Sequence, residues 1–517
     1  MSLSLSLDPE SCYAAMLARD ARFDGVFFVG VSTTGVYCRP VCTARTPRRD
    51  RCSFFRLAAE AEKAGYRACF RCRPELAPGG ASIDAVPRLV ARALQRIEQG
   101  CLNEASVAAL AAELGVTDRH LRRAMEDELG LSPVELAQSR RLAIAKQLLA
   151  DTRLSVTDVA FAAGFRSVRR FNDLFHRSFG RAPSSLRRPA SAGAAAAGAD
   201  AFPLTLRLDF RPPFDWDGLL AFLGPRALPG VESVAAGEYR RVVRLGDRTG
   251  LLCVGPDARR PSLRARLTPS LSRDLAAVVS RLRALFDLDA RPAAINTYLD
   301  RDRLLAPLCR RRPGLRVPGA FDPFETVVRA LLGQQVTVRG ATTLAGRLVA
   351  RFGAALTPDA MAPSLSGLTH AFPSPVELAS ATVEALASIG LPRARAATLR
   401  AVAAAFAADD GGDPDHLSGR LRAIPGVGDW TVAYVAMRAL HDPDALPAAD
   451  LGLRRALGGI SAGAVRARAA GWSPWRAYAV MHLWTADAER PADEATDIIG
   501  VAPVGAPALE TQQGDRP

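Results

Sequence analysis

Four cysteines, Cys38, Cys42, Cys69 and Cys72, carry the most evident chemistry of this 517-residue chain. They fall as C-x3-C in GVYCRPVC and C-x2-C in RACFRC, with residues 43–68 between the pairs. Two short-spaced pairs can close a tetrahedral thiolate cage around zinc, each pair supplying one edge. Four thiolates around a divalent cation leave about two excess negative charges, so the sulfurs stay electron-rich and nucleophilic. Arg39, Arg45, Arg48, Arg49, Arg51, Arg67, Arg71 and Arg73 surround this anionic cage in the sequence. Such a surface suits a phosphate backbone, and a thiolate beside alkylated DNA can take the alkyl group. On spacing alone, a zinc knuckle with a purely structural role fits as well.

The wider stretch is more specific. RDARFDGVFFVGVSTTGVYCRPVCTARTP, then FF, then AEKAGYRACFRCRPE, resembles the zinc domain of the Ada family of DNA-methylation-response proteins, over roughly residues 1–75. The resemblance implies that all four cysteines bind one zinc ion, and that Cys38 accepts a methyl group from a DNA methylphosphotriester. Cys38 is then both ligand and catalytic acceptor. Methylation would convert its thiolate to a neutral thioether and remove one negative charge facing DNA. Because phosphate contacts dominate DNA affinity, binding should tighten, which makes a repair event also a switch.

Composition agrees with a polyanionic partner. The net charge is +14, carried almost wholly by arginine, although an arginine-rich compositional bias would give the same charge. Nine cysteines at uneven spacing, with no secretion signal, argue for a reducing cytosol and against a disulfide scaffold. No stretch reaches the roughly 18 apolar residues of a membrane span. These features predict a cytoplasmic, nucleoid-associated protein with no membrane partner. The length predicts several domains.

Two boundaries are legible. LAPGGAS (76–82) breaks the chain after the last zinc cysteine, and RRPASAGAAAAGADA (187–201) is too poor in bulky side chains to build a core. The expected modules are 1–77, 83–188, a linker over 189–201, 202–300, 301–487 and a disordered tail over 488–517.

Residues 83–188 read as helical, with one pattern twice. Val107, Leu110, Ala111 and Leu114 lead to a turn at Gly115, then Leu121 and Met125. Val156, Val159, Ala160 and Ala163 lead to Gly164, then Phe165, Val168, Phe171 and Phe175. Each is a helix–turn–helix whose second helix is free to enter a major groove. LSPVELAQSRRLAIAKQLLAD lies between them and would hold the two readers in register. Arg166, Arg169, Arg170, Asn172 and Arg177 are placed to reach bases or phosphates. A single such pattern is often an ordinary helical corner. Two in tandem with VAFAAGFRSVRRFNDLFHRSFGRAPSSLR resemble the AraC-type DNA-binding domain over the whole module. An activator of that kind has RNA polymerase as a further expected partner.

Beyond the linker, LTLRLDF, EYRRVVRL and TGLLCVG alternate at period two, and helical stretches follow. ETVVRALLGQQVTVRGATTLAGRLVARF reads as one long helical run. Ile424-Pro425-Gly426-Val427-Gly428 is a glycine hairpin between helices, where Gly426 and Gly428 let the backbone approach a phosphate and free amides face an anion. A plain tight turn would look the same. Asp450 follows in PAAD; it also suits a helix N-cap before LGLRRAL.

Hairpin and aspartate together are the core of the helix–hairpin–helix DNA glycosylases. LDFRPPFDW, PGLRVPGAFDPFETVVRALLGQQVTV, the hairpin and WSPWRAYAVMHLW resemble the 3-methyladenine glycosylase II (AlkA) type over nearly all of 202–487. The resemblance implies a flipped, positively charged alkylpurine gripped by Trp430, Tyr434 and Trp484, with core packing as the plainer role for each ring. It implies that Asp450 stabilises the developing oxocarbenium charge, and that hairpin carbonyls can hold a monovalent cation beside a DNA phosphate. Lyase-type relatives place a lysine two positions after the last hairpin glycine. Trp430 stands there, so hydrolysis without strand cleavage is expected. No Pro-Cys-His-Arg block of an alkylguanine transferase occurs: Cys253 and Cys309 lack a following His and read as core.

The expected fold class is multidomain: a small α+β zinc domain, an all-α tandem helix-turn-helix domain, and an α+β glycosylase with an antiparallel sheet subdomain and a helix-hairpin-helix helical domain. The expected function is an alkylation-damage response protein on double-stranded DNA, sensor and base-excision enzyme in one chain. The rival is a transcription activator whose glycosylase module is only a DNA clamp.

Overall fold

Near the N-terminus, Phe28–Val31 pairs antiparallel with both Val36–Cys38 and Cys52–Phe55. Val36–Cys38 pairs in parallel with Arg67–Ala68, closing a four-stranded sheet. That parallel register, Tyr37 opposite Ala68, carries Cys38 and Cys69 off the ends of adjacent strands, and Cys69 N–H donates to Tyr37 O at 3.0 Å. The computed structural model describes residues 8–79, 88–152, 154–186, 202, 204–356, 367–408 and 414–489. The linker expected over 189–201 and the tail from 490 onward lie outside the described residues. Ala488 closes the last helix, Arg476–Ala488.

The middle module is helical, as its two patterns predict. Val107–Glu113 and Asp118–Leu129 form the first reader, Val156–Ala162 and Val168–Phe179 the second, with Pro133–Asp151 between. Each start is capped by a hydroxyl: Ser106, Thr117, Ser132, Ser155 and Ser167 accept backbone N–H bonds. Gly164 turns with φ +88°, and a Cβ there would lie 2.3 Å from Asn103. Phe165, Phe171, Phe175 and Phe179 pack in succession with their rings tilted or edge-on and fill the second reader's core.

From Leu204 the chain builds a five-stranded antiparallel sheet in spatial order Leu204–Asp209, Ser262–Leu267, Arg248–Pro256, Glu238–Leu245, Glu232–Ala235. Leu204, Leu206 and Leu208 alternate inward as period two requires, against Leu275, Val278 and Leu282 of the helix Leu275–Leu285. The same apolar cluster continues into the second reader and the long helix before it. Among the described residues no helix is long and apolar enough to cross a membrane.

The helical domain follows. The run expected as one helix is two, Pro323–Leu332 and Val338–Phe352. Gln335 takes φ +58° between them, and Thr337 caps the second helix by accepting from Gly340 N–H. A β-branched pair around a threonine that can cap favours a new start over continuation.

The break expected at LAPGGAS is anchored at its first residues. Arg211, buried, donates to Asp24 O, Gly79 O and Asp289 O, and Asp289 accepts from Gly79 N–H at 2.5 Å. Residues 80–82 lie outside the described residues.

Candidate active site and metal centre

One sulfur from each of Cys38, Cys42, Cys69 and Cys72 lies within 4.8 Å of the others. Zinc–thiolate bonds of about 2.3 Å in a tetrahedron require sulfurs about 3.8 Å apart, so the residues fit the ion. Bonding from Cys42 and Cys69 pushes the Cys38 thiol above its ordinary value, while bonding from Cys38 first pulls Cys42 down to about 7. Four sulfurs this close share protons unequally unless a cation replaces them. Cys38, Cys42 and Cys72 are half-buried, and Cys69 is buried.

The arginines around the cage do not act alike. Arg45, Arg48, Arg51, Arg67 and Arg71 are exposed. Arg39 and Arg73 turn inward, contrary to the expectation that the whole set faces phosphate. Arg39 is paired with Asp24 and, at 2.8 Å, with Asp209 of the sheet, and its backbone N–H points at Cys72 Sγ. Arg73 pairs with Glu75 and with Asp151 of the long helix. On the other side of the cage Lys146, buried, donates to Cys69 O at 2.9 Å and pairs with Glu75 at 2.8 Å. A residue within C-x3-C thus docks on the glycosylase sheet, and one in the second pair on the helix-turn-helix module.

On the second reader Arg166, Arg169, Arg170, Asn172 and Arg177 are exposed, since its apolar positions face inward. Gly426 has φ +91°, and a Cβ would lie 2.3 Å from Thr398 Oγ1, which donates to Pro425 O. Gln334 Nε2 donates to Gly426 O at 3.1 Å and to Thr431 Oγ1 at 3.0 Å. Thr398 and Gln334, which the sequence does not single out, therefore clamp the hairpin. Gly428 is exposed, a Cβ added there would meet nothing within 4 Å, and it begins the helix Asp429–Arg438 without a side-chain cap. The first N–H groups of that helix remain available to an anion.

Asp450 caps Leu451–Ala456 by accepting from Leu453 N–H at 2.8 Å. The same Oδ1 accepts from Trp484 Nε1 at 2.8 Å, and Oδ2 accepts from Trp430 Nε1 at 3.0 Å. The three expected aromatics converge on it. Trp430 and Tyr434 stack at 5.2 Å, and Tyr434 lies 6.3 Å from Trp484. All three rings are half-buried, as a pocket wall requires and a closed core does not.

A fourth ring was not legible in the sequence. Phe222, on Trp216–Leu223 of the sheet subdomain, lies nearly parallel to Trp484 (16°), with centroids 6.4 Å apart. The two rings therefore face one another where the sheet subdomain meets the helical domain. Arg226 lies 4.0 Å from the Phe222 centroid and Arg438 4.9 Å. Phe222 sits in FL after an apolar run and reads as core by pattern. Only the docking of the two subdomains turns it toward the pocket.

Known proteins resemble the chain module by module. The profile of the metal binding domain of Ada matches residues 11–75 and a helix-turn-helix domain profile 110–189. The AlkA N-terminal domain matches 205–322, and the HhH-GPD superfamily base excision DNA repair protein profile 328–465. The probable bifunctional transcriptional activator/DNA repair enzyme AlkA of Mycobacterium tuberculosis (strain CDC 1551) is 42% identical over 487 residues, covering 92% of this chain and 96% of that protein. DNA-3-methyladenine glycosylase 2 of Escherichia coli K12 is 35% identical over 297 residues, 56% of this chain and 99% of that protein. The bifunctional transcriptional activator/DNA repair enzyme Ada of Escherichia coli K12 is 34% identical over 165 residues, 32% of this chain and 45% of that protein.

Proposed function

Because the chain belongs to the family of bifunctional transcriptional activator/DNA repair enzymes of the AlkA type, we propose that it excises alkylated purines from double-stranded DNA and regulates transcription in response to DNA methylation damage. The observation that carries the excision reading is Asp450 held by two indole N–H groups within an aromatic pocket. Alkylation at N3 or N7 gives the purine a positive charge, so its glycosidic bond is already weak and the leaving base needs no acid. The ring faces of Trp430, Tyr434, Trp484 and Phe222 attract that charged base once flipped. Asp450 accepts three N–H bonds, which fixes its carboxylate facing the sugar. From there it stabilises the oxocarbenium charge that develops at C1′ and orients the attacking water.

The reaction ends at hydrolysis. Trp430 occupies the place of a Schiff-base lysine, so no amine attacks C1′ and the strand stays intact. Gly426 and Gly428 bring the hairpin backbone against a phosphate; a monovalent cation there would have to bind hairpin carbonyls other than those of Pro425 and Gly426, which already accept from Thr398 and Gln334.

In the sensor, Cys38, Cys42, Cys69 and Cys72 would hold one zinc ion, which would keep the sulfurs anionic; Cys38 Sγ attacks the methyl carbon of a methylphosphotriester, forming S–CH3 as the CH3–O bond breaks and the phosphodiester leaves as an anion. Arg45 positions the backbone. Arg166, Arg169 and Arg170 of the second reader contact promoter DNA, and the methylated form recruits RNA polymerase. The modules performing these tasks are 1–77, 83–188, 202–300 and 301–487, in the cytoplasm at the nucleoid. The rival reading, an activator whose glycosylase part is only a clamp, has against it the assembled pocket and aspartate.

Base release from methylated duplex DNA by the purified full chain, beside an Asp450→Asn variant, tests the enzyme. Release by the native chain and its loss in the variant are expected. No release by folded, zinc-loaded native protein would leave the clamp reading.

A further inference from the structure

We propose that Tyr434 reads the exocyclic group at C6 of the flipped purine, selecting a 6-oxo group, as in alkylated guanine, over a 6-amino group. The inference rests on the glycosylase reading above and assigns a specificity role within it. Arg438, buried, has no carboxylate partner among the described residues. Its Nε donates to Pro318 O, its Nη2 to Gly319 O at 3.2 Å, and its Nη1 to Tyr434 Oη at 2.7 Å. A guanidinium has donors only, so in that last bond the phenol oxygen must be the acceptor. The direction of the bond is thereby fixed, and the phenol's own hydrogen is left for another partner. Among the described residues Tyr434 Oη donates to none.

Tyr434 is half-buried and its ring borders Trp430 and Trp484, so in this proposal the uncommitted hydrogen is the donor that meets the flipped base. The field around it has the same preference. The Arg438 guanidinium lies 5.4 Å from the Tyr434 centroid, and Arg226 lies 4.0 Å from that of Phe222. Two cations on one side of the pocket favour the negative end of a carbonyl dipole and oppose the N–H hydrogens of an amino group. Asp450, bonded to Trp430 and Trp484, answers the positive charge of the purine ring itself. Arg438 is thus a positioning residue, and Tyr434 the one that touches the base.

The test uses the full zinc-loaded chain and Tyr434→Phe, which keeps the ring and removes the hydroxyl. Release of 7-methylguanine and 7-methyladenine is followed from the same methylated duplex. Both bases carry the same ring charge and N7 methyl group, but one is 6-oxo and the other 6-amino. Loss of one hydrogen bond should lower kcat/KM for 7-methylguanine about tenfold. Release of 7-methyladenine should fall by a clearly smaller factor, so that the ratio of the two rates shifts several-fold. Taking the ratio of the two bases within one preparation cancels any loss of folded protein. An equal fall for both bases, or no change in either, would overturn the role of Tyr434 and leave the enzyme standing. Failure of the native chain to release either base would remove the glycosylase reading, and this inference with it.

Discussion

Arg39 and Asp209, 170 positions apart, form a buried ion pair at 2.8 Å that joins the loop after Cys38 to the first strand of the five-stranded sheet. Asp24 shares the Arg39 guanidinium and Arg207 pairs with Asp209 at 3.0 Å, so two cations meet two carboxylates largely away from water. Removing one carboxylate from such a cluster leaves a cation without its partner. Asp209→Asn is expected to lower unfolding free energy by about 3 kcal/mol in urea titrations. The double variant Arg39→Met, Asp209→Leu should lose less than the sum of the two single changes. Additive losses would mean that the pair does not couple the modules.

Asp450→Asn separates chemistry from architecture. Asparagine caps a helix as well as aspartate does, and its oxygen can still accept from an indole. The Tm should therefore move by no more than about 2 °C, while base release falls by about 100-fold or more. A large drop in Tm would assign the aspartate to structure.

The two hairpin glycines should respond differently. Gly426 sits at φ +91° with Thr398 Oγ1 where a Cβ would go, so Gly426→Ala should cost about 1–3 kcal/mol in thermal or urea unfolding. Gly428 faces open space at φ −90°, and Gly428→Ala should leave stability within about 0.5 kcal/mol. Its effect should appear in fluorescence-anisotropy titrations with duplex DNA, as weaker binding with a smaller salt dependence.

Zinc removal should affect the sensor first. Substituting Cys69, the buried ligand, is expected to abolish zinc content measured by elemental analysis and to melt the first module at lower temperature. With zinc present, exposure to methylated DNA should add one methyl group to the peptide containing Cys38, detected by mass spectrometry. Methylation on another cysteine, or on none, would reduce the site to a structural knuckle.

Asp287 gives a pH dependence of stability. Burial lifts its carboxyl to about 6, against the pull of Arg316 and a bond from Tyr478. The folded state therefore holds this proton at a pH where the unfolded chain has lost it. Its contribution is present below the ordinary carboxylate value near 3.8 and is lost as pH rises to about 6. Asp287→Asn, whose oxygen can still accept from Tyr478, should flatten that decline in urea titrations between about pH 4 and 6.

Much of the site was legible because its signals are local. Cysteine spacing names four ligands, and the glycine turns at Gly115 and Gly164 divide each reader. The alternation in LTLRLDF names a strand facing a core. Asp450 stands out because it is placed to cap the helix that follows it directly. These patterns rest on short-range geometry, in which residue type and spacing determine which groups can meet.

Tertiary packing decided the rest. Nothing in RPVC separates Arg39 from its exposed neighbours. It turns inward because Asp24 and Asp209 arrive from elsewhere in the chain, and a buried guanidinium is tolerated only where carboxylates wait for it. Phe222 looks like any core phenylalanine until the sheet subdomain packs against the helical domain and sets it parallel to Trp484. The direction of the Arg438–Tyr434 hydrogen bond likewise exists only once Pro318 and Gly319 carbonyls hold the guanidinium in place. The amino-acid sequence by itself determined which chemical groups this protein has and which local elements carry them. The tertiary structure decided which charges are buried and which rings share a pocket, because burial and apposition depend on segments far apart in the chain.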